Sequence, residues 1–138
     1  MKSRDTLIRL KRFQVDDKRR RVAQIEMMIA EFDRMAADLD REIAAEEQKA
    51  GISDPNHFAY PTYARAAAQR RDNLRLSAQN LHIQLDDAKA ELGEAFEELK
   101  KAESLEDRER SAERGIEAVR DQPVIGHAGS ARALRASA

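Results

Sequence analysis

The chain has 138 residues, about one domain, of which 41% are hydrophobic, 4% aromatic and 37% charged; that balance cannot fill a globular core but suits a narrow helical seam wrapped in charge. A net charge of −1 argues against nucleic acid as a main partner, because such partners call for a basic excess. With no cysteine, disulfides, zinc thiolates and thiol chemistry are excluded.

Residues 4–50 read as one helix. Val22, Ile25, Ile29, Phe32, Ala36, Leu39 and Ile43 recur in alternating steps of 3 and 4, an unbroken heptad seam. Carried backward, the seam passes through Lys18, Val15, Lys11 and Ile8. The lysine stems can cover a seam while their ammonium groups reach water. Asp16–Arg20 and Asp17–Arg21 are spaced as i,i+4 pairs, each adding ~0.3 kcal/mol. Such a helix is about 70 Å long and needs a partner alongside.

Gly51 is placed to stop this helix. Residues 51–60 form the connection, where Ser53-Asp54-Pro55 reads as a cap followed by proline, and Pro61 opens the second helix, 61–110. That helix carries its own seam: Leu74, Ala78, Leu81, Leu85, Ala88, Leu92, Ala95, Leu99 and Ala102. It extends weakly backward through Arg71, Ala67 and Ala64, and forward it gives way to Glu106, Glu109 and Glu113.

Charge fixes the pairing direction. Residues 1–21 carry net +6 and 22–50 net −5, while 61–81 carry +3 and 82–103 carry −4. Folding back at 51–60 sets each basic stretch against an acidic one, whereas a parallel pair sets like against like. The expected fold is all-α: a long antiparallel two-helix coiled-coil hairpin over 1–110, in which residues i and j face each other when i + j is about 111. Residues 111–138 are expected as a frayed helix and, from Asp121, a disordered tail (QPVIGHAGSARALRASA).

Catalytic chemistry is not legible. His57, His82 and His127 lack an i+4 partner that could chelate a metal, the five glycines form no phosphate loop, and neighbouring carboxylates such as Glu46/Glu47 lie on a charged surface. The expectation is a protein that is not an enzyme and needs no cofactor. The run Lys18-Arg19-Arg20-Arg21 reads as a solvated face answered by acids of the second helix. Candidate binding residues are apolar side chains off the seam. Leu10 and Phe13 point outward near the open end, flanked by Arg9, Lys11 and Arg12. Leu76 and Ile83 point outward level with Met35 and Met28, with Met27 close by, as either a partner site or the dock for a third helix. Phe58, Tyr60 and Tyr63 cluster at the closed tip, where they either pack the turn or form an interface hot spot.

No stretch approaches the ~20 apolar residues of a membrane span. The opening MKSRDTLIRLKRF lacks the apolar run of a signal peptide, so a cytoplasmic protein is expected.

The opening MKSRDTLIRLKRFQVDDKRRRVAQIE, the turn AGISDPNHFAYPTYARAAAQRRDNL and the following LDDAKAELGEAFEELKKAE resemble the flagellar export protein family FliJ, in its alphaproteobacterial form. The resemblance covers about residues 1–105, rests on no catalytic motif, and lapses after about residue 110. It implies a soluble component of the flagellar type III export apparatus, peripheral at the cytoplasmic face of the inner membrane through its partners alone. It further implies that the end bearing both termini enters the ring of the export ATPase FliI and promotes its assembly. The rest would contact the export gate protein FlhA and export chaperones. By position on the hairpin, Arg9, Leu10, Lys11, Arg12 and Phe13 would meet the ring, and Phe58, Tyr60, Tyr63, Leu76 and Ile83 the gate or chaperones. The competing expectation is a structural spacer or self-assembling oligomer with no ATPase partner.

Overall fold

The structure, a computed structural model, describes the backbone of residues 2–137 and the side chains of residues 3–120. Its regular elements are two helices, α1 (Lys2–Ala50) and α2 (Thr62–Ser137), packed against each other as an all-α helical hairpin. The chain divides into two compact units: Phe13–Ala95, and Met1–Arg12 with Phe96–Ala138.

In the unit Phe13–Ala95, the heptad seams make the core. Ile25, Ile29, Leu81, Leu85 and Ala88 form one buried cluster, with Val22 and Phe32 packed on it. Ile43, Tyr60, Ala64 and Ala67 form a second at the turn, joined by Leu39, Ile52 and Ala68. Here a large residue of α1 faces alanines of α2, which lets the backbones approach closely. Arg71 takes a seam position and is half-buried. Its Nη1 donates to Asp40 Oδ1 at 3.0 Å, while Arg75 donates to the other oxygen of Asp40 at 2.5 Å. The hydrogen bond that Arg71 donates to Asp40 raises the Arg71 pKa and holds the guanidinium charged.

The turn is built by hydrogen bonds. Gly51 adopts φ 72° and its N–H donates to the Glu47 carbonyl at 2.9 Å, closing α1 in the left-handed conformation glycine tolerates. Asp54 is the capping side chain: its Oδ1 accepts from the Asn56 N–H, and its carbonyl accepts from the His57 N–H. Pro55 and Asn56 form a hydrogen-bonded turn. Pro61 stands just before α2, and its carbonyl accepts the first helical bond, from Arg65.

In the unit formed by Met1–Arg12 and Phe96–Ala138, Ile8 and Ala102 are buried and Lys11 and Leu99 half-buried. Packing ends at Glu106, and every residue from 107 to 120 is exposed. The segment 111–120, where a frayed helix is expected, is helical and exposed. The disordered tail expected from Asp121 concerns residues whose side chains lie outside those described, although α2 is drawn as helix to Ser137.

Candidate partner-binding surfaces

Cross-helix ion pairs obey the pairing rule read from the seams. In the unit of Met1–Arg12 and Phe96–Ala138, Lys11 Nζ meets Glu98 at 2.8 Å, numbers that add to 109, and Arg12 meets Glu103 at 3.4 Å, adding to 115. In the unit Phe13–Ala95, Lys18 Nζ meets Glu91 at 3.0 Å, again adding to 109, and Asp40 with Arg71 adds to 111. Both seam lysines therefore reach from the interface to an acid at its edge. The hydrogen bond from Lys11 holds Glu98 below the usual carboxylate range.

Each candidate residue takes a distinct place. Leu10 is half exposed, and Leu7 and Leu105 of the same unit are also open to solvent. Arg9 and Arg12 line a polar groove of about 340 Å³ over Ile8, together with Asp5, Glu103, Glu106, Asp107 and Arg110. Three cations and four carboxylates balance one another there, so the groove has no strong preference for an anion or a cation. Lys11, on the seam, is held by Glu98 within the hairpin.

Phe13, in the other unit, is exposed with the Arg20 guanidinium 6.0 Å from its ring centroid. Within the basic run Lys18 is answered across the helices by Glu91. Arg19 pairs with Asp16 at 4.0 Å, three residues back, and the expected Asp16–Arg20 and Asp17–Arg21 ion pairs do not form.

The tip aromatics divide. Tyr60 is buried and packs the turn, one of the two places open to the cluster. Its hydroxyl donates to Glu47 at 3.0 Å, and Arg65 lies 5.4 Å over its ring. Burial, then the Glu47 hydrogen bond, raise its pKa. Tyr63 is exposed, and its hydroxyl donates to Glu42 at 2.8 Å, which raises its pKa as well. Phe58 is 95% exposed on an ordered turn, stacked on His57 at 4.7 Å between centroids. His57 is itself fixed, because its Nδ1 accepts the Ala59 N–H at 3.0 Å. Phe58 is thus the displayed aromatic of the tip.

Leu76 and Ile83 are exposed, as are Met27 and Met28, while Met35 is half-buried. With α2's seam at heptad positions a and d, Leu76 and Ile83 both fall at f, opposite the seam, whereas Met28 and Met35 fall at g, beside it. Between them lie uncharged Ser77, Asn80 and Gln84. This side is one uncharged face with two apolar rows, which the sequence reading had merged into one patch.

Among the described residues, no group of three or more side chains is placed to hold a metal, and no helix is long and apolar enough to cross a membrane. Compared with known protein families, curated proteins and solved structures, the chain matches none.

Proposed function

We propose that this chain is a FliJ-type component of the flagellar export apparatus, a helical-hairpin adaptor that couples the export ATPase ring to the export gate and chaperones. The observation that carries the reading is where apolar surface remains once the hairpin has closed. Leu10 and Phe13 of α1 are half or more exposed although the seam beside them is satisfied, so they are free for a partner. Phe58, Leu76 and Ile83, displayed elsewhere on the hairpin, are the surfaces for gate and chaperone. The resemblance over residues 1–105 supplies the identity of the partners.

The test is hydrolysis by the purified cognate export ATPase with and without the full chain. The chain is expected to stimulate turnover. Leu10→Ala with Phe13→Ala is expected to weaken stimulation and leave helicity intact, because neither side chain belongs to a buried cluster. Absence of stimulation by the wild-type chain, at concentrations where the complex is directly observed, removes the ATPase role.

A further inference from the structure

In the unit of Met1–Arg12 and Phe96–Ala138, charge occupies the seam itself. The α1 seam there reads Arg4, Ile8 and Lys11, and the α2 seam reads Leu99 and Ala102 before Glu106, Glu109 and Glu113. Among the described residues of this unit the buried apolar side chains are Ile8 and Ala102, and neither belongs to a buried cluster. The clusters around Ile25 and Ile43 both lie in the unit Phe13–Ala95. What joins α1 to α2 in the unit of the termini is ion pairs of one sense, cations of α1 against acids of α2. Arg4 holds Glu109 and, at 3.1 Å, Glu113; Lys11 holds Glu98 and Arg12 holds Glu103. Those four carboxylates are 43–54% exposed. The polar groove opens over Ile8 on the same unit.

We infer that this unit is an electrostatic clasp, in which α1 and α2 part as ionic strength rises while Phe13–Ala95 stays closed. The two kinds of contact respond to salt differently. Attraction between solvated charges reaches ~10 Å at about 0.1 M salt and only ~3 Å at about 1 M. Apolar burial is not screened, and excluded salts strengthen it. Half-solvated carboxylates feel the loss, and Ile8 with Ala102 is too little apolar surface to replace it. Segments with few buried apolar contacts open below the global unfolding limit. Opening uncovers Ile8, Leu99 and Ala102, together with the carboxylates that Arg4, Lys11 and Arg12 had neutralised, a surface the closed hairpin hides. The clasp is independent of the export reading.

The chain has no cysteine, so two introduced thiols carry two nitroxide labels and no others. Full-length Ser3→Cys with Ser111→Cys sets labels at exposed positions c and f across the clasp. Gln24→Cys with Ala90→Cys sets them at the same positions in Phe13–Ala95, with numbers that add to 114 in both pairs. Pulsed electron paramagnetic resonance is expected to give a single short distance for each pair at about 0.1 M salt. At about 1 M the Ser3/Ser111 distribution should broaden to longer distances, and the Gln24/Ala90 distribution should not move. Arg4→Gln should broaden the first at about 0.1 M and leave the second unchanged. A Ser3/Ser111 distance that stays short at about 1 M, or is already broad at about 0.1 M, overturns the proposal. So does joint broadening of both pairs, or an Arg4→Gln chain closed as tightly as its parent.

Discussion

At the scale of the residue, burial decides cost. Ile25 is the largest fully buried side chain among the described residues, at 1% exposure, in contact with the Leu81–Leu85 side of α2. Ile25→Ala removes packed methyl groups and leaves a cavity, so it is expected to cost about 2–5 kcal/mol in urea unfolding followed by circular dichroism. Ile83→Ala, on the outward face, should fall within about 0.5 kcal/mol of the parent. Equal losses for the two would mean that Ile83 is packed in the folded protein and not displayed. The tyrosines offer a separate probe, since the chain has two and no tryptophan. Both phenols are raised, Tyr60 by burial and Tyr63 by its bond to Glu42. A group raised in the folded state contributes stability that is complete below its unfolded pKa and is lost as pH rises through the folded one. Ultraviolet titration should therefore show both phenols ionising above the ordinary tyrosine range, and Glu42→Gln should return one of them toward it. Two ordinary titrations would contradict the tip geometry.

At the scale of the element, each helix sacrifices packing where its seam turns polar. Lys18 occupies a seam position and reaches Glu91 at the edge. Lys18→Leu exchanges an exposed ion pair, itself ~0.2–1 kcal/mol, for buried apolar surface, and is expected to raise stability by about 1 kcal/mol in thermal unfolding. A fall would show that the ion pair holds the register more firmly than apolar packing can. Glu98 carries the opposite pH sign from the tyrosines. Its pKa is lowered by Lys11, so its contribution is present above the ordinary carboxylate value and lost as pH falls through the lowered one.

Both seams were legible in the sequence, down to the half-buried Arg71, because a period of 3.5 over many turns leaves little freedom in which residues face inward. The end of packing at Glu106 was equally legible from the glutamates that follow. Two features were not. Tyr60 packs inward because the chain direction through 51–61 is set by Asp54 and His57 hydrogen bonds, which have no periodicity to betray them. Leu76 and Ile83 were placed level with the methionines by arithmetic along the helix axis, which says nothing about rotation around it.

At the scale of the whole molecule, the central claim is that the chain closes on itself, antiparallel, in one register, leaving its binding surfaces outside a satisfied seam. Opposed charge in the four helix segments selects that arrangement over a parallel pair. The most direct measurement is zero-length carbodiimide cross-linking of the native full-length protein, in an equal mixture of isotopically light and heavy chains. Lys11–Glu98 and Lys18–Glu91 are 2.8 and 3.0 Å apart, close enough to couple without a spacer. The account predicts amide links between those two pairs within single chains, seen as light–light and heavy–heavy peptides. Mixed light–heavy peptides for the same pairs, or lysines coupled to acids outside this register, would contradict it.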